Sequence, residues 1–377
     1  MVVPQSRARA AALLSLVGAA RAAQWPVHSW ATLPVFFHSS VMNSLVPSDA
    51  DLAIMARYPA VTLEKWQGCN STGCYPGPCA APAPTQAEAT LATARKLKAL
   101  RPSISVATWT DSLRIYSNRS LNPSATNADD QFCVNNQDSV FLETHADEFL
   151  LRNETGGLAL EGYAHLHVYD HRRASVRDFW RDACLNMTAT GLIDGCGADA
   201  SQQVGSYIIG LAPDVEAAWT TAHVQVVADT TSAVAAAGGG FVLGKLVQQL
   251  GVSVNAVLQE GCTASNATVI TLLNATARAR ADKTRYIYEC HSNGSESDMA
   301  AFLIGAGLDH YFGFGAWYSR SGGFAPSWKP EFEKPLGEPL ADATYDAATS
   351  TWTRSFASGT KVTFNAVSAV GSIAWAT

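Results

Sequence analysis

The chain has 377 residues, 47% of them hydrophobic and only 15% charged, so it can bury a full-size core and is not an intrinsically disordered polymer. Its 26 Lys+Arg are outnumbered by 32 Asp+Glu, the reverse of what a general nucleic-acid binder needs. Beyond the N-terminal region no apolar run reaches the roughly 18 to 20 residues needed to cross a bilayer, so the mature form is expected to have no membrane partner.

Residues 1–22 read as a secretory signal peptide. Arg7 and Arg9 form a positive n-region, Ala10 to Ala20 an apolar h-region, and Ala20-Arg21-Ala22 a small-residue cleavage site. Losing Arg7, Arg9 and Arg21 takes the net charge from -6 to -9. Asn-x-Ser/Thr sequons at Asn70, Asn118, Asn153, Asn186, Asn266, Asn274 and Asn293 fit the same extracellular route as glycosylation sites. So does the segment Gly68-Cys-Asn-Ser-Thr-Gly-Cys-Tyr-Pro-Gly-Pro-Cys79, whose Gly and Pro forbid regular structure and whose cysteines can fix the loop. We expect Cys69, Cys74, Cys79 and Cys133 to be bridged among themselves, and Cys184 and Cys196 to be free and buried. No His stands at ligand spacing near the cysteine cluster, so neither a metal nor another cofactor is expected.

Short apolar, β-branched or aromatic runs then alternate with helical patterns. The runs are Val35-Phe-Phe-His38, Val61 to Trp66, Ile104 to Trp109, Ala164 to Tyr169, Gly191 to Asp194, Gly240 to Leu243, Ala256 to Glu260, Arg285 to Glu289 and His310 to Phe314. Helical periodicity covers Gln86 to Leu100, Ser175 to Thr190, Val215 to Ala237, Asn266 to Asp282 and Ser297 to Gly307. This is the signature of a parallel sheet with crossover helices. Its length over residues 23–329 suits an α/β (β/α)8 TIM barrel, with one run more than the barrel requires. No G-x-G-x-x-G stands at a strand-to-helix turn, which disfavours a doubly wound sheet. Residues 111–162 interrupt the alternation with a long insertion, whose Thr155-Gly-Gly157 reads as a hairpin turn. Residues 330–377 return to period 2 and read as a small C-terminal antiparallel β-sheet.

In a barrel of this kind the chemistry lies at the carboxyl ends of the strands. Asp170, Asp194, Asp199, Glu260 and Glu289 fall at or near such ends. A carboxylate pair there can cleave a glycosidic bond, one member held protonated while the other stays ionised. We take Asp199 and Glu260 as the catalytic pair. Glu260 is the general acid, since Val257 and Leu258 suggest a dry setting, and Asp194 and Asp170 stand in support. A strand-end Asp also serves as a helix cap, and Asp194 within an apolar run suits a structural hydrogen-bonding role. Trp66, Trp109 and Trp317 are candidate sugar-stacking rings, with a core role as the alternative for Trp66 and Trp109.

The segment Gly191-Leu-Ile-Asp-Gly-Cys-Gly-Ala-Asp199 resembles the G-(F/I)-D-G-x-x-x-D strand of glycoside hydrolase barrels of the polygalactosaminidase-like and hypothetical glycosyl hydrolase families. Asp194 and Asp199 fall on its two aspartates. Ser175-Val-Arg-Asp-Phe-Trp180 after Tyr169-Asp170 is similar to the same families' P-x-V-R-D-(F/Y)-W, with Ser175 in the proline neighbourhood. Leu258-Gln-Glu-Gly261 resembles their seventh-strand glutamate, and Trp352 to Phe356 with Val362 to Asn365 their C-terminal sheet. The resemblance implies a glycoside hydrolase barrel, but the families' activities are diverse and no substrate carries over; our expectation is a secreted enzyme that cleaves O-glycosidic bonds of a poly- or oligosaccharide. Two further readings remain. One is a catalytically inactive carbohydrate-binding barrel. The other is a metal-dependent hydrolase, suggested by His165 and His167 on one strand face. Oligomeric state is not legible.

Overall fold

The computed structural model describes residues 25–39, 46–64, 86–113, 145–162, 166–238, 240–245, 254–282, 285–290, 294–314 and 326–376. Cys69, Cys74, Cys79, Cys133, Trp66, Trp317, Asn70, Asn118, Asn293 and His165 lie outside them, as does the leader.

Eight parallel strands form the barrel: β1 (Phe36–Ser39), β2 (Ala60–Glu64), β3 (Ser105–Asp111), β5 (Gly195–Asp199), β7 (Phe241–Lys245), β8 (Ala256–Cys262), β9 (Arg285–Cys290) and β10 (His310–Phe314). They pair in that order, and the ring closes through a parallel bridge from Val35 to Phe312. Period 2 sorts their side chains into two clusters. Phe36, Ala107, Trp109, Phe241, Leu243, Leu258, Ile287 and Tyr311 pack together inside the ring. The residues between them, such as Phe37, Val61, Val106, Cys196, Val242, Val257 and Phe312, pack against the helices. Trp25 plugs the amino end, its ring edge-on to Phe241 at 4.8 Å and to Tyr311 at 5.8 Å.

The outer helices are α1 (Asp49–Met55), α2 (Gln86–Leu100), α4 (Ala174–Thr188), α5 (Pro213–Ala236), α6 (Asn266–Asp282) and α7 (Glu296–Gly305). Local chemistry sets several boundaries. Ser48 caps α1, Pro213 opens α5, and Ser295 with Asp298 forms a capping box on α7. Every residue of α7 from Asp298 to Gly305 is buried, because this apolar helix lies between the barrel and a second sheet. That sheet is antiparallel, in the order β11 (Thr344–Asp346), β12 (Thr351–Ser355), β13 (Lys361–Asn365) and β14 (Val370–Ala374). Gly371 lets it approach, since a Cβ there would stand 2.5 Å from Ala300 Cβ.

Two of the nine runs are displaced. The fourth is not a barrel strand: Tyr169 bridges Leu150 and His167 bridges Leu160, both antiparallel. They belong to an excursion that carries the short helix α3 (Ala146–Phe149), β4 (Leu160–Glu161), β6 (Ile208–Ile209) and the hairpin turning at Gly156, φ +81°. Leu113, Leu151, Val168, Ala200 and Trp219 form its core, which places it over the carboxyl ends of β3 and β5. The fifth run is shifted: the strand is the glycine-rich 195–199 rather than the apolar 191–194. Its glycines make room for neighbours. A Cβ on Gly195 would meet the Phe241 ring at 2.5 Å, and one on Gly197 would meet Trp109 Cε3 at 1.9 Å.

One cysteine expectation is corrected. Cys184 on α4 and Cys196 on β5 are joined in a disulfide rather than left as free thiols. Cys184 lies on a helix face that packs against the outward side of β5, which brings the two Cα atoms to 5.9 Å.

Candidate active site

Three adjacent strands deliver three charges to the carboxyl rim. Asp199 is the last residue of β5, Lys245 the last of β7, and Glu260 lies near the end of β8. Each continues the inward series of its strand: Gly195, Gly197, Asp199; Phe241, Leu243, Lys245; Ala256, Leu258, Glu260. Lys245 therefore lies between the two carboxylates. Its ammonium is 3.1 Å from Asp199 Oδ1 and forms a second ion pair with Glu260 Oε2. Side-chain exposure is 18% for the lysine and 6% for each acid, so water screens the triad weakly. Burial opposes the ammonium, but Asp199 and Glu260 prevail and hold the Lys245 pKa above the usual lysine value. One ammonium in contact with both acids keeps the bonded oxygens within about 6 Å, two hydrogen-bond lengths.

The backbone is irregular at both carboxylates. Ala200, directly after Asp199, adopts φ +55°, and its N–H donates to Asp199 Oδ1 at 2.8 Å. The β8–β9 register slips between Glu260 and Cys262. Left-handed alanine and a bulge are both costly to keep in place and cluster at functional rims.

Other strand ends add acidity. Asp111 closes β3 directly beside Asp199, and its Oδ1 accepts from Leu113 N at 2.8 Å. Glu64 closes β2, fully buried, with His38 Nε2 4.0 Å from its Oε2. Glu289 pairs with Glu260 in register. Lys245, Asp111, Glu64 and His38 were missed from sequence. Carrying period 2 one step further along the third and sixth runs reaches Asp111 and Lys245.

The supporting acids stand elsewhere. Asp194 precedes β5 at the amino end of the barrel, five residues and so about 16 Å of strand from Asp199. There its Oδ2 accepts from Lys98 Nζ at 2.6 Å and Val106 N at 2.8 Å. Asp170 lies in the excursion, bound by Arg172 through two nitrogens at 2.8 and 3.0 Å and by Arg173 at 3.2 Å. The helix that follows starts at Ala174 with no side-chain cap. Trp109 is wholly buried beside His38 inside the barrel. Asn186 and Asn274 are exposed on helices, and Asn153 and Asn266 half-buried. Among the described residues no three His, Cys, Asp or Glu come together to hold a metal ion.

An eight-stranded parallel barrel with two carboxylates on its rim is an architecture that glycoside hydrolases use, and the family match puts the protein in that class. The chain belongs to hypothetical glycosyl hydrolase family 15, which it matches over residues 98–360. No curated protein matches it in sequence. Among solved structures it resembles the maltogenic alpha-amylase AmyB of Thermotoga neapolitana, with TM-score 0.51 and 9% identity over 88% of this chain and 86% of that one. The alpha-amylase GTA of Geobacillus thermoleovorans, complexed with acarbose, gives 0.50 and 11% over 89% and 86%. The cycloalternan-degrading enzyme of Trueperella pyogenes gives 0.46 and 12% over 77% of this chain, which spans 42% of that enzyme's length. For the two alpha-amylases, at these identities, the likeness is one of fold.

Proposed function

We propose that the protein is a secreted glycosidase that cleaves O-glycosidic bonds of a poly- or oligosaccharide, with Asp199 and Glu260 as its carboxylate pair. The observation that carries this reading is the Asp199–Lys245–Glu260 triad, which presents two acids to one small volume at the carboxyl rim. Asp199, oriented by Ala200 N–H, is the nucleophile. Glu260 is the acid that protonates the leaving oxygen and then the base that activates water. Lys245 favours the ionised form of both acids in the free protein. A sugar entering between them parts Glu260 from the ammonium, and Glu260 then takes up a proton from solvent before it protonates the leaving oxygen. The leader, the sequons and the Cys184–Cys196 disulfide support an oxidising, extracellular setting.

The same lysine favours a second reading. An ammonium that neutralises both acids suits an inactive barrel that binds carbohydrate without cleaving it. Hydrolysis of a panel of activated aryl glycosides by wild type, Asp199→Asn and Glu260→Gln decides between them. Cleavage by wild type alone supports catalysis; calorimetric binding with no turnover supports the inactive barrel. Turnover undiminished in either variant overturns the assignment of the pair.

A further inference from the structure

Behind Asp199 lies a buried polar chain that the proposed chemistry does not use. Ser112, the residue after β3, holds the Asp199 main-chain carbonyl twice: its N–H donates at 3.0 Å and its Oγ lies at 2.8 Å. Ser112 Oγ also lies 3.0 Å from His223 Nε2 on α5, and His223 Nδ1 lies 3.2 Å from the Gln203 carbonyl. Ser112 and His223 are wholly buried. His171 stacks on His223 at 5.0 Å and 18°, and its Nε2 donates to the Ser112 carbonyl at 2.5 Å.

The protons in this chain can be counted. Three contacts run through it: Nδ1 to the Gln203 carbonyl, Nε2 to Oγ, and Oγ to the Asp199 carbonyl. Both carbonyls only accept, and a neutral imidazole with one hydroxyl supplies two protons. One contact must therefore lack a hydrogen. If Nδ1 carries the imidazole proton, Ser112 donates to His223 and its hydroxyl is lost to Asp199. If Nε2 carries it, His223 donates to Ser112 and Ser112 donates to Asp199. The Asp199 contact is short at 2.8 Å and the Gln203 contact long at 3.2 Å, which selects the second arrangement.

We propose that His223 is a positioning residue for Asp199, acting as an Nε2–H donor through the Ser112 hydroxyl to fix the backbone turn from which the carboxylate projects. This rests on the reading of Asp199 as nucleophile. The turn needs such a brace because Ala200 occupies a left-handed conformation that an alanine holds only under restraint. Burial pushes the His223 pKa down to about 4, so the ring is neutral near pH 7. The ionisable groups around it are His171 stacked on its face, Arg177 bonded to the His171 carbonyl, and Asp199 beyond Ser112. Acid adds the third proton at Nδ1, which then donates to Gln203.

Two measurements test this, one of them independent of substrate. Nitrogen NMR of histidine-labelled wild-type protein, with His223 assigned by its absence in His223→Gln, should show the Nε2–H tautomer at pH 7. An Nδ1–H tautomer overturns the proposal whether or not a substrate is known. With an aryl glycoside that wild type cleaves, Ser112→Ala and His223→Leu should lower kcat about tenfold at unchanged KM. Ser112→Thr and His223→Gln, which keep the hydroxyl and an N–H donor, should restore it. Wild-type kcat in both Ser112→Ala and His223→Leu overturns the proposal. If wild type cleaves no glycoside, the glycosidase reading falls and the tautomer alone decides whether the brace exists.

Discussion

Two of the buried cations among the described residues are held in opposite ways. At the barrel rim Lys245 lies between two formal negative charges, which raise its pKa despite burial. At the junction of α7 and β12, Arg354 is 7% exposed, and its hydrogen-bond partners among the described residues are dipoles: the carbonyls of Leu303 at 2.9 Å, Ile304 at 3.4 Å, Ala306 at 2.6 Å and Ala341 at 3.3 Å. Burial brings its pKa down to about 10, with the nearby Asp342 opposing, and it remains charged at neutral pH. Arg354 caps the carbonyl end of α7, where a cation complements the helix dipole. The comparison separates machinery from scaffold. Partners that can each gain or lose a proton suit chemistry, whereas carbonyls fixed in a helix terminus can only hold.

Breaking the rim should affect rate more than stability. Asp199→Asn and Glu260→Gln should each lower kcat by about a thousandfold or more on an aryl glycoside, while thermal unfolding shifts by only a few degrees. Breaking the junction should do the reverse. Arg354→Met leaves α7 carbonyls buried without a donor and should cost about 3 to 5 kcal/mol in urea unfolding, with little change in KM.

Next in size is the covalent tie behind the rim. Replacing Cys184 and Cys196 together by Ala removes a bridge across 12 residues and should cost about 3 kcal/mol in the same assay.

The smallest effect is alkaline and sharpens the contrast between the two cations. The folded-state pKa of Lys245 lies above its ordinary value of 10.5. Its contribution to stability is therefore complete below about pH 10.5 and is lost as the pH rises through the folded value. Lys245→Met should flatten this part of the stability curve relative to wild type. Burial also raises the pKa values of Tyr58, Tyr286 and Tyr311, which add a slope of the same sign to both proteins. An identical alkaline slope in the variant would show that Lys245 does not carry the effect.

Much of the barrel was legible because inward and outward residues alternate along β1, β2, β7, β8 and β10, and because helices such as Asn266–Asp282 keep their period to the ends. The errors have physical causes. Tyr169 and its neighbours alternate like a barrel strand, but pairing partners decide which sheet a strand joins, and here they lie in the excursion. Leu192-Ile193 has the composition of a strand and Gly195-Cys-Gly-Ala198 does not, yet the latter forms β5 because large rings elsewhere need the space. The same shift moves Asp194 from the expected rim to the opposite end of the barrel. Glu260 stands at the end of its run, whereas Asp199 lies five residues beyond the end of the fifth run and was singled out as one of the two aspartates of the Gly191–Asp199 segment. Lys245 was overlooked because a charged residue following an apolar run resembles the start of a loop.

The glycine floor of β5 ties two distant positions into one unit of inheritance. With Trp109 Cε3 only 1.9 Å from where a Cβ on Gly197 would stand, position 197 cannot take a side chain while the indole is in place. A larger residue at 197 must arrive with a smaller one at 109, or the indole is driven toward His38, 5.4 Å away on β1. Positions 109 and 197 should therefore vary together among related chains. Gly197→Ala should be damaging in this background, and less so once Trp109 is first replaced by leucine, which removes the indole clash and leaves the Thr108 carbonyl at 2.9 Å.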